Sequence, residues 1–136
     1  MRAAKAEVPR VLLIEDDLDL ASMLSDALQA RNYRVWHVAT AAEAELLVDR
    51  VRPDVIILDL ILPDGNGLVL CDSLRERTGA PVIIASGSKR KGDPELGVRL
   101  GAAAFIAKPF AVDDLQARME AALQARRRPR RPRGGP

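Results

Sequence analysis

The chain has 136 residues, 48 % of them hydrophobic and 29 % charged, the size and balance of one soluble globular domain. It holds no apolar run of the roughly eighteen residues that a membrane span needs, and its opening residues, MRAAKAEVPR, lack the apolar segment of a signal peptide. A single cysteine, Cys71, excludes an internal disulfide and points to a reducing, cytoplasmic setting.

The formal net charge of +2 hides an uneven distribution. Residues 126–136, RRRPRRPRGGP, contain six arginines and no acid; without them, 15 basic residues face 19 acidic ones. The body is therefore mildly acidic and the tail strongly basic. Pro129, Pro132, Gly134, Gly135 and Pro136 are expected to prevent a regular helix there. Such charge suits nucleic acid, but no aromatic side chain is interleaved to stack on bases. The favoured reading is a folded domain at 9–125 followed by a disordered, linker-like tail at 126–136.

Only 3 % of residues are aromatic, so the core must be mostly Val, Leu, Ile and Ala. The first apolar run, 11–14, leads to a helical pattern at 19–31, where Leu20, Met23, Leu24, Ala27 and Leu28 recur at helical spacing. The second run, 34–38, carries Arg34, Trp36 and His37 and suits a sheet edge. Thr40 and Glu43 read as a capping box opening a helix at 41–51. The third run, 55–58, precedes a helix at 66–77, and the fourth, 82–85, a short helix near 94–100. Gly92, Pro94 and Gly97 make that fourth helix the weakest. The fifth run, 103–107, precedes a helix at 112–126. Strand–helix alternation with short loops predicts a doubly wound α/β fold: a five-stranded parallel sheet, order 2-1-3-4-5, flanked by five helices. The first, third and fourth runs are the most uniformly apolar and belong at its centre.

In open sheets of this kind ligands bind beyond the carboxyl ends of the strands. Glu15, Asp16 and Asp17 follow the first strand, Asp59 the third, Ser86 and Gly87 the fourth, and Lys108 and Pro109 the fifth. Crowded carboxylates repel one another and favour a cation; hard oxygen donors with room for water suit Mg²⁺, and Mn²⁺ is chemically close. A carboxylate beside such an ion can attack a phosphoryl group and become an acyl phosphate, with the Lys108 ammonium and Ser86 hydroxyl holding the phosphoryl oxygens. No GxxxxGK[ST] loop is present to bind a nucleotide, so the donor must come from elsewhere.

The segments LLIEDD, VIILDLILPDGNG, VIIASG and GAAAFIAKPF, in this order and spacing, resemble the receiver domains of two-component response regulators. The likeness covers roughly residues 9–125, and DLILPDGNG with LQARMEAAL is closest to the OmpR/PhoB-like subfamily. It implies a flavodoxin-like fold with Asp59 as phosphoacceptor. Glu15 and Asp16 would hold Mg²⁺, Asp16 directly, together with Asp59 and the backbone carbonyl of Ile61. Lys108 and Ser86 would bind the phosphoryl group, and the bond before Pro109 would be cis. Ser86 and Phe105 would act as switch residues that reshape the face of the fourth helix, fifth strand and fifth helix. The phosphoryl donor would be a sensor histidine kinase. The chain would be a signalling domain that catalyses at most its own phosphorylation and dephosphorylation, in control of transcription through a fused or partner domain.

Three positions depart from the family pattern. Ala103-Ala104 stand where the subfamily carries an acid used in dimer contacts, which leaves Arg118 without that partner and weakens a homodimer through this face. Gly87 replaces a common alanine, which predicts faster loss of the phosphoryl group. Phe105 has no phenolic hydroxyl, so any switching must come from ring rotation and packing. Plainer readings apply to other residues: Asp17 an acidic loop residue, Asp64 a turn residue in Pro63-Asp64-Gly65, Cys71 a packing residue, His37 a surface strand residue, and Lys89-Arg90-Lys91 a solvated loop. Two rival functions follow. A haloacid-dehalogenase-like phosphatase needs a second Asp two residues after the nucleophile, where this chain has Ile61. A receiver-fold interaction module that is never phosphorylated would not need Glu15, Asp16, Asp59, Ser86 and Lys108 together. The chain alone is expected to bind no specific DNA site and no membrane.

Overall fold

The computed structural model describes residues 8–87, 99 and 101–127. Strand β1 (Arg10–Ile14) leads through helix α1 (Leu18–Ala30) to β2 (Arg34–Val38), and α2 (Ala41–Val51) leads on to β3 (Val55–Leu58). Two short strands, β4 (Ile61–Leu62) and β5 (Gly65–Asn66), then pair antiparallel around the Pro63-Asp64 turn before α3 (Gly67–Thr78). Strand β6 (Val82–Ser86) follows, then β7 (Ala104–Ala107) and α4 (Val112–Arg127).

The main sheet is five-stranded and parallel, in the order β2-β1-β3-β6-β7. This is the predicted flavodoxin-like order; the β4–β5 ladder is an addition that the apolar pattern did not suggest. Four of the five predicted helices fall among the described residues. The predicted helix near 94–100 lies outside them apart from Arg99, which is helical. The last helix runs to Arg127, one residue beyond the prediction.

Residues alternate strictly between the two faces of the sheet, as a period of two requires. Leu12, Ile14, Ile56, Leu58 and Ile84 pack toward α2 and α3, with Ala44, Val48, Cys71 and Leu74. Val11, Leu13, Val55, Ile57 and Ile83 pack toward α1 and α4, with Leu24, Leu28, Leu115 and Met119. Both faces are covered, so β1, β3 and β6 are apolar at nearly every position. A fully buried Leu or Ile contributes about 1.5–3 kcal/mol relative to an exposed one. Cys71 is one of these packing residues, fully buried and free, and burial pushes its thiol pKa up.

Two helix starts show how local chemistry fixes the carboxyl edge of the sheet. Thr40 caps α2 as predicted, accepting from the Glu43 amide at 3.1 Å, while the Glu43 carboxylate reaches back to the Thr40 hydroxyl at 3.1 Å and the Ala39 amide at 3.2 Å, one residue before the amide of a standard capping box. Asp17, expected only as a loop acid, caps α1 by accepting from the Leu20 amide at 3.1 Å.

Candidate functional site

The ladder extends past each strand end and brings one polar residue from each of four strands to the same edge. The Glu15 amide donates to the Val38 carbonyl, that of Asp59 to Ile14, and that of Lys108 to Ser86, each at 3.0 Å. These bonds continue the parallel pairing by one residue, so Glu15, Asp59 and Lys108 are held by the backbone of the core itself. Ser86 is the last residue of β6 and fully buried; Glu15 and Asp59 are 2 % and 6 % exposed.

Lys108 Nζ stands 2.6 Å from Glu15 Oε1 and 3.1 Å from Asp59 Oδ2. The other Asp59 oxygen, Oδ1, accepts from Ser86 Oγ at 3.2 Å and from the Ile61 amide at 3.1 Å. The other Glu15 oxygen accepts from the Asp17 amide at 3.1 Å. Each buried carboxylate thus has partners on both oxygens, which its removal from water demands. Burial pushes the Glu15 pKa up, against the opposing pull of Lys108 and the Asp17 amide. Burial alone would lower the Lys108 pKa, but hydrogen bonds to Glu15 and Asp59 outweigh it and hold the ammonium above its usual range. The amine is therefore a cation at any physiological pH.

Asp16 is the exposed member of the acidic group. Carboxylate oxygens of Glu15, Asp16 and Asp59 come within 4.8 Å of one another. Three hard oxygen donors with one side open to water fit a divalent cation of the Mg²⁺ type, which keeps part of its water shell. Lys108 takes Glu15 and Asp59, and Asp16 faces solvent.

Gly67 closes the site from beneath. A Cβ there would lie 2.5 Å from Leu60 Cα and 2.7 Å from the Asp59 carbonyl oxygen, so only glycine lets α3 start this close to the loop after β3. Gly87 is different: a Cβ there would meet Lys108 Cβ at 3.9 Å, an ordinary contact. The Lys108–Pro109 peptide bond is cis. Phe105 is partly buried and packs on the α2–α3 side of the core. It pairs in register with Ile84, so it shares a sheet face with Ser86 two residues on.

Asp64 sits in the predicted turn and makes a further contact. Besides forming the turn it accepts from the amides of Ala41 and Ala42, at 2.7 and 3.0 Å, in the first turn of α2. Those backbone bonds hold its carboxyl pKa below the usual range. Nothing local in the sequence announces a contact across 22 residues. His37 is exposed, as expected, and its Nε2 donates to the Glu15 carbonyl at 2.7 Å. Arg118 donates to the Asp114 carbonyl of its own helix at 3.1 Å and forms no ion pair among the described residues.

The sequence profile described as the response regulator receiver domain matches residues 11–120. The chain belongs to that family. The DNA-binding response regulator MtrA of Mycobacterium tuberculosis is 35 % identical over 115 residues, covering 85 % of this chain and 50 % of that protein. The KDP operon transcriptional regulatory protein KdpE of Escherichia coli is 36 % identical over 114 residues, covering 84 % of this chain and 51 % of that protein. These relatives are regulators of the OmpR/PhoB group, and the chain spans about half their length. Among solved structures, the BeF3-activated receiver domain of Klebsiella pneumoniae RstA superposes with a TM-score of 0.80 at 25 % identity, covering 85 % of this chain and 98 % of that one. A CheY-like receiver domain from Methanospirillum hungatei gives 0.82 at 25 % identity, covering 87 % and 95 %. The chain is thus a response regulator receiver domain of the two-component type. No helix among the described residues is long and apolar enough to cross a membrane.

Proposed function

We propose that this receiver domain is a phosphorylation switch whose acceptor is Asp59. The observation that carries the reading is the two-sided hold on that carboxylate, Lys108 on one oxygen and Ser86 with the Ile61 amide on the other. An Asp59 oxygen attacks the phosphorus of a phosphohistidine on a sensor histidine kinase. The phosphorus–nitrogen bond breaks, the imidazole leaves with a proton, and a mixed anhydride remains on Asp59. The Lys108 ammonium offsets charge on the equatorial oxygens, and transfer needs little beyond this positioning. Asp16 and Asp59, the Ile61 backbone carbonyl and, behind them, Glu15 would hold Mg²⁺. Bound there, the ion would neutralise charge shared between carboxylate and phosphoryl oxygens.

After transfer, Ser86 Oγ exchanges its bond to Asp59 Oδ1 for one to the phosphoryl group. Phe105 follows by rotating into the space vacated on the same sheet face. The affected surface includes β7 and α4. Ala103 and Ala104 offer it no acid and Arg118 is turned onto its own helix, so a homodimer held by ion pairs there is disfavoured. The cytoplasm is the expected site of action, and a DNA-binding partner or fused domain the expected output, as the names of the relatives suggest. The direct test is transfer from a phosphorylated sensor-kinase fragment carrying a labelled phosphohistidine. Label should pass to the wild-type chain and not to Asp59→Asn; equal labelling of both would overturn the assignment.

A further inference from the structure

Glu15 lies where β1 and β2 part, and its two backbone groups are held by different means. Its amide donates to the Val38 carbonyl at 3.0 Å, which continues the parallel ladder by one rung. With Ile14 opposite Val38 in register, the next rung would run from the Thr40 amide to the Glu15 carbonyl. The second strand has ended by then. The Ala39 amide is engaged by the Glu43 carboxylate at 3.2 Å, and Thr40 leaves the sheet to cap α2. The ring of His37 supplies the N–H in place of the missing rung, with Nε2 at 2.7 Å from the Glu15 carbonyl oxygen. A carbonyl only accepts, so this nitrogen carries the proton and donates. Buried backbone carbonyls need such a partner, but here the bond has a second consequence.

The Glu15 carbonyl and the Asp16 amide belong to one planar peptide unit. Holding that carbonyl fixes the plane from which Asp16 continues. Asp16 depends on this hold, because its own side chain is exposed and makes no hydrogen bond or ion pair among the described residues. On its far side the chain is already fixed. The Asp17 amide donates to Glu15 Oε2 at 3.1 Å, and the Asp17 side chain caps α1. On its near side the fixed point is the Glu15 carbonyl, and the donor to it is His37.

We propose that His37 is a positioning residue for a divalent cation: by fixing the Glu15–Asp16 peptide it directs the Asp16 carboxylate toward the oxygens of Glu15 and Asp59, which lie within 4.8 Å of it. The inference rests on the reading of those three acids as the cation site. His37 is not itself a ligand in this account, since its Nε2 is committed to the carbonyl. Groups that orient metal ligands from outside typically change affinity tenfold or more when removed. A ring that served only the edge strand would contribute to stability and leave the cation unaffected.

The test is calorimetric titration of the full chain with Mg²⁺ alone, at fixed pH and ionic strength, with urea melts of each protein to confirm folding and record stability. His37→Leu removes the donor and should weaken Mg²⁺ binding roughly tenfold. His37→Gln carries an N–H donor and should recover most of that loss. Arg34→Ser disturbs the same strand by removing the guanidinium 5.0 Å from the Trp36 ring, without touching the Glu15 peptide, and should bind Mg²⁺ as wild type does. A folded His37→Leu chain with wild-type affinity overturns the proposal. So does a His37→Gln chain no better than His37→Leu, and so does an Arg34→Ser chain weakened as much as His37→Leu, which would assign the effect to strand stability. A wild-type chain that binds no Mg²⁺ overturns the cation site itself and this inference with it.

Discussion

Lys108 stands closer to Glu15, at 2.6 Å, than to Asp59, at 3.1 Å. The lysine therefore balances two buried carboxylates, and Glu15 is the better shielded, with a side chain only 3 % exposed. Lys108→Met would leave both acids without their cation. The expected cost is about 2 kcal/mol at neutral pH, below the usual range for breaking a buried pair because Lys108 is itself partly open to water. The pH dependence has a definite sign. Glu15 has a raised pKa, so its contribution to stability is greatest below its ordinary value near 4.5 and is lost as pH rises through the folded-state value. The deficit of Lys108→Met should therefore shrink as acid protonates Glu15. Urea melts of both proteins between neutral pH and pH 4 measure it; a deficit that grows in acid would contradict the pairing.

Asp64 fastens the loop after the phosphoacceptor strand to the start of α2. Its pKa is lowered by the Ala42 and Ala41 amides, so the stabilisation is present above its ordinary value near 3.8 and fades as pH falls through the lower folded-state value. Asp64→Ala should lower the thermal midpoint at neutral pH, and the difference from wild type should close toward pH 3. A pH-independent difference would mean that the turn, and not the charge on the amides, is what Asp64 supplies.

Gly67→Ala drives a methyl group into the backbone of Leu60 and Asp59, which cannot yield as a flexible side chain would. Destabilisation of about 1–3 kcal/mol is expected. The displaced loop should also slow acceptance of a phosphoryl group more than the stability loss explains. Kinetics on the folded fraction separate the two effects.

Gly87→Ala is the opposite case. The added methyl meets Lys108 at ordinary contact distance, so the fold tolerates it and solvent access beside Lys108 narrows. Loss of the phosphoryl group should slow roughly threefold, under about 1 kcal/mol in barrier. Hydrolysis rates that are equal or faster in the variant would remove Gly87 from the account of phosphoryl lifetime.

The sheet was legible because its central strands are apolar on both faces and its helices carry regular apolar spacing. Residues 11–14, 55–58 and 82–85 admitted no other place than the middle. The acidic group, Ser86 and Lys108 were legible because each follows an apolar run, and a parallel sheet carries all strand ends of one sense to one edge. What local pattern could not show were contacts made across the chain. Asp64 reaches α2 through space, Lys108 chooses Glu15 over Asp16 by how deep each carboxylate sits, and Arg126 reaches the carbonyls of Pro53 and Asp54. The β4–β5 ladder, two residues on each strand, is too short to register as a period.

The central claim is that Asp59 accepts a phosphoryl group in a site completed by a divalent cation. Intact-mass measurement after incubation with Mg²⁺ and a small phosphodonor tests it most directly. One added phosphoryl group is expected on the wild-type chain, none on Asp59→Asn, and none on wild type when the cation is chelated. An unmodified wild-type chain, or equal modification of Asp59→Asn, would contradict it.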